Sequence, residues 1–369
     1  MTIHTSILVP VLNEEQNLSN LWKRLLPVLR KNATAELILI DNESKDHSWA
    51  LLKKFRAACP KQVRIAQESK RGWAPPLNRG LSLAKGENLL FVDADTEPSS
   101  AWFPAMIAAL ENHDLVVGQT LSGKTTSKFG TIVQKIFHRH SERTSQAIGY
   151  TLPWGPTCNL GVKKTWFRKV GAFSSQAQGA FDIDWCWRAL LAGAKIHYAS
   201  KAKIVHHHRQ DRVAILRQFE RYGRSEAWLH HQYSFLEDAA ALPVSPLETA
   251  MSARSRLLAS FRKPSEEALE IASAFACGVY GGFSGKLEKC SLPRRLPKKP
   301  VSWALGDKEI LFVPGKGVTT LDAQPRELWL WLEKGLSEQQ VLEEMVHHWK
   351  CTKAQAKSFL REFSLMIQS

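Results

Sequence analysis

The sequence has no long apolar run and no cysteines in metal-binding spacing. No stretch reaches about 18 consecutive apolar residues, so a transmembrane helix is not expected. The six cysteines show no CxxC spacing, which argues against both a zinc site and a disulfide framework. Residues 1–5 have neither the charged start nor the long apolar core of a signal peptide. We therefore expect a cytoplasmic protein with reduced thiols.

The chain is basic, but its last segment is not. The net charge is +15, while 44% of the residues are hydrophobic and 23% are charged, as in globular proteins. Residues 301–369 contain eight Lys or Arg and nine Asp or Glu, a net charge of −1, which leaves +16 on the first 300 residues. Basic proteins attract nucleic acid, anionic membranes or phosphorylated ligands. Any ligand attracted by the positive charge is therefore expected to bind to the first 300 residues.

The first hundred residues alternate apolar strands with helical segments. Strands are predicted at residues 5–10, 36–41, 63–66 and 87–93. Continuous apolar strands separated by helices indicate a parallel sheet covered on both faces. Polar or acidic clusters end three of these strands, at residues 10–14, 41–46 and 93–95. Because such sheets bind ligands beyond the carboxyl ends of their strands, the clusters predict a binding crevice.

The remainder of the chain predicts three further segments after a large α/β domain at residues 1–235. These are a helical extension at 236–290, a linker at 291–300 and a small α+β domain at 301–369. The linker contains three prolines and four cations, a composition that resists packing. The last domain predicts a β-hairpin followed by helices, and Ser337 and Gln340 have capping-box spacing.

Asp93-Ala94-Asp95 is the central candidate for chemistry. Carboxylate oxygens can hold a divalent cation, and the cation neutralises charge that develops on a leaving diphosphate. Taken alone the motif is weak, because two solvated turn aspartates are commoner.

The motif belongs to a series that occurs in a fixed order. The pieces are residues 9–14 (VPVLNE), 40–46 (IDNESKD), 72–80 (GWAPPLNRG), 91–95 (FVDAD), 171–173 (GAF), 181–188 (FDIDWCWR), 192–196 (AGAKI) and 205–208 (VHHH). Over about residues 4–235 they closely resemble family-2 glycosyltransferases with the GT-A fold. The resemblance implies a Rossmann-like, mostly parallel sheet and inverting transfer of a sugar from a nucleotide-sugar donor, with UDP expected as the nucleotide.

The resemblance also implies which residues bind the donor. The turn Pro10, Val11, Asn13 and Glu14 together with Asp41 would hold the base and ribose, and the segment from Lys70 to Gly72 would line the nucleotide and diphosphate. Asp93, Ala94 and Asp95 complete the donor site.

A divalent metal, Mn²⁺ or Mg²⁺, would be held by Asp95, with Asp93 facing both ribose and metal. His206 would be a further ligand by position, with His208 as second choice. Neutral imidazole suits Mn²⁺ better than Mg²⁺. The alternative is that the three histidines belong to a solvated polar loop.

The general base is expected at Asp182. The family's paired Glu-Asp aligns with Phe181-Asp182, so the glutamate is missing here, and Asp184 is the fallback. An inverting transfer needs a base to remove the acceptor's proton. The apolar neighbour Phe181 would raise the pKa of the Asp182 carboxylate.

For four further features, a structural role explains the residues as well as or better than a functional role. Trp154 and Asn159 occupy the family's sugar and acceptor floor, although buried tryptophans more often belong to the core. The basic helix at 217–224 matches one near the acceptor side, or is an ordinary basic face. Cys158 is assigned to core packing.

Residues 301–369 resemble the PqqD-like modules that bind leader peptides. The similarity lies in residues 309–313, 318–322, 326–335 and 337–342. It implies a winged-helix-like fold whose sheet edge accepts an extended peptide as an added strand, most plausibly at Val318, Thr319, Thr320 and Leu321.

Residues 301–369, the tail of the chain, bear on the class of acceptor. Winged helices often bind DNA, but a net charge of −1 lacks the cationic footprint that nucleic acid requires. A purely structural cap and a non-catalytic sugar-nucleotide sensor are further alternatives. The basic body also leaves open contact with a membrane and transfer to a lipid-linked or polysaccharide acceptor. We expect a glycosyltransferase that modifies a Ser, Thr or Cys of a ribosomal precursor peptide captured by the tail.

Overall fold

Apolar runs in the first part of the chain form one mixed sheet. The computed structural model describes residues 2–141, 152–233, 246–259, 261, 263–284, 301–305, 308–313, 317–321 and 323–367. Within them the sheet is built from β1 (Thr5–Val11), β2 (Ala35–Asp41), β3 (Val63–Gln67), β4 (Asn88–Val92), β5 (Thr96–Pro98), β6 (Leu115–Ser122), β7 (Asn159–Lys163) and β8 (Ile196–His206). The four strands predicted in the first hundred residues are confirmed as β1 to β4.

The strand order is β3-β2-β1-β4-β7-β6-β8-β5. β1 lies parallel to both β2 and β4, and β2 lies parallel to β3, so the acidic ends of β1, β2 and β4 meet at one edge. β7 runs antiparallel to β4 and β6, whereas β8 is parallel to β6 and antiparallel to β5. The α/β prediction and the expected crevice edge therefore hold for this half of the chain.

Helices cover the faces of the sheet. They are α1 (Glu15–Lys31), α2 (Ser48–Ala58), α3 (Ala74–Leu83), α4 (Trp102–Asn112), α5 (Lys128–Ser141), α6 (Thr165–Val170) and α7 (Phe181–Leu191). In α1 the buried residues recur every three or four positions, at Leu18, Leu21, Leu25 and Leu29. That spacing places them on one stripe of the helix, which packs into the same core as β1 and β2.

A second helical layer follows β8 in the same compact unit. It consists of α8 (Arg212–Tyr233), α9 (Pro246–Leu258) and α10 (Glu266–Ser284), which share an apolar core with α5. Gly223 of α8 and Gly278 of α10 permit a close approach, because a Cβ at either position would overlap a backbone oxygen of the facing helix. The described part of the predicted helical extension thus packs directly on α8.

The chain from residue 301 forms a separate compact unit. Its strands β9 (Val301–Leu305), β10 (Lys308–Val313) and β11 (Gly317–Leu321) form an antiparallel sheet in the order β11-β10-β9. The helices α11 (Ala323–Glu333), α12 (Glu338–Trp349) and α13 (Lys353–Ile367) complete it. The predicted capping box is confirmed, since Ser337 and Gln340 exchange side-chain and backbone hydrogen bonds at the start of α12. The predicted linker at 291–300 lies outside the described residues.

Candidate functional site

Asp93, Asp95 and His206 come together at the end of the sheet. Asp93 and Asp95 lie between β4 and β5, and β5 pairs with β8 so that Thr96 is opposite His206. One potential ligand atom from each of the three side chains lies within 4.8 Å of the others. The Nε2 atom of His206 is 3.2 Å from Oδ1 of Asp95. In the part of the chain that the structure describes, no other group of three such side chains meets this geometry.

The electrostatics of this cluster are those of a site built for a cation. Burial, with the nearby charge of Asp95, raises the pKa of Asp93 to about 7. Burial and Asp95 likewise raise the pKa of Glu14 to about 7. Burial alone would lower the pKa of His206, but Asp95 and the other carboxylates outweigh it and raise the pKa to about 9. A proton on His206 thus partly neutralises the carboxylates, a role that a divalent cation could take over.

The donor set fits Mn²⁺ or Mg²⁺. Two carboxylates supply hard oxygen ligands, and the imidazole favours Mn²⁺ between the two. The expectation that His208 is an alternative ligand is not supported. His208 is not among the three side chains that meet the geometry within the described residues, and its Nε2 lies 3.0 Å from Ser122 Oγ.

The loops beyond β1 and β2 are tied to each other by polar contacts. The backbone N–H of Asn13, in the left-handed region at φ 57°, donates to Ser44 Oγ at 2.9 Å. Its side-chain Oδ1 accepts from the N–H of Lys45 at 2.7 Å. Asp46 accepts from the N–H of Glu15 at 3.0 Å at the start of α1. These contacts give the predicted donor turn a fixed shape.

Asp41 and its neighbour Asn42 organise the next part of the crevice. Asp41 is almost fully buried and accepts long bonds from the N–H of Ser44 (3.3 Å) and from Gln67 Nε2 (3.3 Å). Asn42 donates to the carbonyls of Glu68 (2.7 Å) and Lys70 (2.9 Å). Sequence reasoning left Asn42 without a role, although it follows Asp41 directly at a strand end.

The other expected donor residues contribute in different ways. Asn42 Oδ1 also accepts from the N–H of Gly72 at 3.3 Å, so the exposed segment from Lys70 to Gly72 is held by its backbone. Gly72 has φ 137°, a conformation that favours glycine. Val11, expected in the donor turn, has its side chain in the core, and its carbonyl accepts from the N–H of Asn42. Pro10 is half-buried and Ala94 is buried between the two aspartates.

Asp182 lies at the beginning of α7 and is 8% exposed. It accepts hydrogen bonds from the N–H groups of Ile183 (2.9 Å) and Thr157 (3.4 Å). Burial, only partly offset by these bonds, raises the pKa of Asp182 to about 7. Its charge is among the influences that raise the pKa of Asp93, so the two carboxylates lie near each other. A carboxylate of this kind can act as a general base at neutral pH.

Asp184 is unsuited to the role of fallback base. It is completely buried, and its Oδ2 forms an ion pair with Arg188 NH2 at 2.9 Å. Its Oδ1 accepts from the hydroxyl of Tyr233 at 2.8 Å. A carboxylate whose two oxygens are both engaged in the core has no access to an acceptor. The structure favours Asp182 over Asp184.

Asn159, expected at the sugar and acceptor floor, is engaged in hydrogen bonds within the core. It is completely buried and accepts from Trp102 Nε1 at 2.8 Å. Its amide nitrogen donates to the carbonyls of Gln119 and Ala202, both at 3.1 Å. The amide thus joins β7 to α4, β6 and β8. Trp154, by contrast, is half-buried in the segment before β7.

Cys158 lies beside the carboxylates. Burial and the charges of Asp93 and Asp95 hold the pKa of the Cys158 thiol well above its usual range. Its Sγ is 4.0 Å from Thr120 Oγ1. The thiol therefore stays protonated, as expected of a packing residue.

Exposed arginines flank the site on the side of α8. The guanidinium of Arg221 lies 5.0 Å from the ring centroid of Trp73, which directly follows Gly72. Burial and the charges of Arg209 and Arg217 lower the pKa of Arg221. No carboxylate forms an ion pair with any of these three arginines within the described ranges. Sequence reasoning indicated the helix at 217–224 but missed Arg209.

Comparison with known proteins agrees with this arrangement. Residues 6–171 match the family described as Glycosyl transferase family 2, so the chain contains a domain of that family. It is 27% identical to the dolichol-phosphate mannosyltransferase of Pyrococcus furiosus over 114 residues, which are 31% of this chain and 32% of that protein. It is 23% identical to the pre-mycofactocin glycosyltransferase of Mycobacterium tuberculosis over 233 residues, 60% of this chain and 46% of that protein. The matches thus span less than half of these relatives.

A solved structure shows the fold. The mannosyltransferase PcManGT from Pyrobaculum calidifontis, in complex with GDP-Man and Mn²⁺, superposes with a TM-score of 0.51 at 16% identity. The alignment covers 76% of this chain and 86% of that one. The first unit therefore has the GT-A fold. In the described parts of the chain, none of the helices combines the length and hydrophobicity needed to cross a bilayer.

Proposed function

We propose that this protein is a metal-dependent, inverting glycosyltransferase that uses a nucleotide-sugar donor and modifies a peptide side chain. The observation that carries the proposal is the convergence of Asp93, Asp95 and His206 within 4.8 Å, beside a carboxylate at Asp182 with a pKa of about 7. Retention of both a metal-binding set and a base favours an enzyme over a sugar-nucleotide sensor. A bound divalent cation would supply Lewis-acid stabilisation of the departing diphosphate.

The chain's own residues would hold the donor in two places. The loops beyond β1 and β2, with Asp41, would receive the base and ribose, and the Lys70–Gly72 segment would follow the diphosphate. Arg209 would face the diphosphate from the side opposite the Lys70–Gly72 segment. It follows His206 closely in sequence, and its charge lowers the pKa of Glu14. UDP is the nucleotide we expect, and a panel of nucleotide-sugars tests this.

Asp182 would then take the proton of the acceptor. The pKa of about 7 leaves its carboxylate able to accept a proton at neutral pH, and the two backbone N–H groups fix its orientation. The acceptor oxygen or sulfur would approach the sugar's anomeric carbon from the side opposite the departing diphosphate, which gives inversion.

The second unit supports a peptide acceptor. Among the described residues, its three-stranded sheet has β11 at one edge, paired with β10, and three helices follow, as the resemblance to PqqD-like modules implies. A leader peptide added to that edge would hold the core peptide near the donor site at an effective concentration in the millimolar range.

A lipid-phosphate acceptor is the second candidate. The exposed Arg209, Arg217 and Arg221 favour an anionic acceptor, and the similarity to a dolichol-phosphate mannosyltransferase agrees with it. The arginines would bind a phosphate by charge-assisted hydrogen bonds.

The deciding experiment compares the full chain with one ending at residue 300. With Mn²⁺ and the preferred nucleotide-sugar, both forms should hydrolyse donor slowly and at equal rates. Small peptides encoded by adjacent genes serve as candidate precursors, and the full chain alone should glycosylate one of them at micromolar concentration. Equal activity of both forms on a polyprenyl phosphate, with no transfer to peptide, would establish the second candidate instead.

A further inference from the structure

The segment that follows β8, residues 206–211, is anchored at successive positions. The carbonyl of His206 accepts from the N–H of Gly123 at 2.8 Å. The N–H of His207 donates to the carbonyl of Asp95, and its Nε2 lies 2.9 Å from Glu97 Oε1. His208 contacts Ser122, as described, and its ring stacks on Phe137 with centroids 5.1 Å apart. The three adjacent histidines therefore have three different sets of contacts.

Gln210 makes several hydrogen bonds that link this segment to a loop elsewhere in the chain. Its Oε1 accepts from Thr125 Oγ1 (2.6 Å) and from the N–H groups of Thr126 (3.2 Å) and Ser127 (3.3 Å). Its Nε2 donates to the carbonyl of His208 at 2.9 Å, and its own carbonyl accepts from Ser127 Oγ at 2.8 Å. One amide thereby joins the loop after β6 to the segment after β8.

Two features show that this contact is built into the fold. The N–H groups of Thr126 and Ser127 lie just before α5, and Gln210 Oε1 is an acceptor for both. Gly130, in the first turn of α5, leaves the space for the amide, because a Cβ at that position would overlap Gln210 Oε1 and Thr125 Oγ1. Ser127 itself caps α5, since its Oγ accepts from the N–H of Gly130 at 2.8 Å, so Gln210 holds the residue that caps the helix.

Arg209 lies between the two anchored residues His208 and Gln210. Its side chain has no hydrogen bond or ion pair to any residue that the structure describes. Because His208 and Gln210 are both anchored, only the side chain of Arg209 is free to move.

We propose that Gln210 is a positioning residue of the donor site, which fixes the 206–211 segment so that His206 faces Asp95 before any donor binds. The role rests on the proposed metal-dependent transfer. Gln210 would act through His206 and Arg209 and would itself touch neither metal nor donor. The segment would accordingly be ordered in the free enzyme and would not close upon the donor.

The test measures Mn²⁺ binding to the full chain without donor, by titration of the free-ion EPR signal. Gln210→Met keeps the length of the side chain and removes its hydrogen bonds. It should weaken Mn²⁺ binding by up to the about 10–100-fold lost with a direct hydrogen-bond partner of a ligand, because Gln210 holds the segment and not a ligand itself. Gln210→Glu keeps the three accepted bonds but places a carboxylate oxygen against the His208 carbonyl in place of the donated bond, so it should also weaken Mn²⁺ binding. Gln339→Met, at an exposed position in the second unit, should bind Mn²⁺ like the parent chain.

Hydrogen exchange of residues 203–212 gives a readout that does not depend on metal. These amides should be protected in the free parent chain and should exchange faster in Gln210→Met, while β1 and β2 keep their protection. Parent-like Mn²⁺ affinity and parent-like exchange in Gln210→Met would overturn the positioning role. If the parent chain itself binds no Mn²⁺, the metal assignment fails, and unchanged exchange in the variant would then refute the anchoring by itself. Should Gln210→Met fail to fold, Gln210→Glu decides by the same two measurements.

Discussion

The Nε2 atom of His206 lies 3.2 Å from Oδ1 of Asp95, and this contact is a consequence of strand pairing. The short strand β5 begins one residue after Asp95 and runs antiparallel to the end of β8, which places Thr96 opposite His206. Glu97, also on β5, binds His207 and is held in turn by Arg24 of α1 at 2.9 Å. Strand pairing thus sets the backbone of His206 opposite β5, and the Glu97–Arg24 ion pair holds its neighbour His207.

Replacement of Asp95 should abolish both metal binding and transfer. Asp95→Ala removes the carboxylate that contacts His206 and leaves two of the three ligands. The fold should persist, because substitution of a partly exposed carboxylate usually changes stability by little. Calorimetry with donor and Mn²⁺ should show no metal-dependent binding, whereas the exposed control Glu111→Ala should behave like the parent chain. Undiminished turnover of Asp95→Ala in the presence of a chelator would disprove the metal assignment.

The metal-free protein should lose stability as pH rises. Glu14, Asp93 and Asp182 have folded-state pKa values raised to about 7, so each binds its proton more tightly when folded, and stability falls as pH rises from about 4 to 7. His206 has its pKa raised to about 9, so its contribution is fully present below about 6.5 and is lost as pH passes through 9.

The lowered pKa values of Asp95 and His208 oppose this trend, that of His208 up to about pH 6.5. The melting temperature in EDTA should therefore decline between about pH 7 and pH 9, where His206 loses its proton. Mn²⁺ should restore it most at the alkaline end, because the metal replaces the proton on His206. A melting temperature in EDTA that rises over this range would contradict the electrostatic description of the cluster.

Asp182 and Asp184 should respond differently to the same substitution. Asp182→Asn should keep donor affinity and reduce turnover by about a hundredfold or more, the usual scale for removing a general base. In the parent chain, turnover should rise with pH up to about 7, the pKa of Asp182, and level off. Asp184→Asn should instead destabilise the fold by about 3–5 kcal/mol, since it leaves Arg188 buried without its partner.

Thermal melts and single-turnover kinetics on both variants separate these effects. A hundredfold loss of turnover in a fully stable Asp184→Asn, with Asp182→Asn active, would reverse the assignment.

The predictable part of the structure is the part encoded locally. The strand β2, for example, is a continuous apolar run between Glu36 and Asp41. The polar residues that follow such strands could be assigned to one edge of the sheet, because parallel strands end at the same edge. His206 could be indicated only by the family resemblance, since its approach to Asp95 depends on the pairing of β5 with β8. That pairing joins segments far apart in sequence and has no local signal.

The sequence assigns Asn159 and Asp184 ambiguously, for one physical reason. Asn159 and Asp184 are polar residues within apolar segments, a pattern shared by functional sites and by buried polar groups that are fully hydrogen-bonded. Their partners Trp102 and Arg188 decide between the two, and the sequence does not pair them. Gln210 was missed for the same reason, because its contacts reach a loop that precedes it by many residues.

The edge strand β11 should become protected when precursor peptide binds. Among the strands that the structure describes, β11 pairs only with β10, so the proposed added strand would bond to its other side. Hydrogen exchange of the full chain should show new protection at Gly317–Leu321 on addition of peptide, with β9 unchanged. A scrambled peptide of equal composition serves as the control.

Proline substitutions at Thr319 and Thr320 test the same edge. Because N–H groups alternate in direction along an antiparallel strand, one of the two prolines removes a bond to β10 and the other removes an outward N–H. The variant with the lower melting temperature identifies the inward position. The other should keep the parent melting temperature and donor hydrolysis but glycosylate the full precursor far more slowly at micromolar concentration, with a leaderless core peptide unaffected. If the stable proline variant binds and modifies precursor like the parent chain, β11 is not the peptide-binding edge.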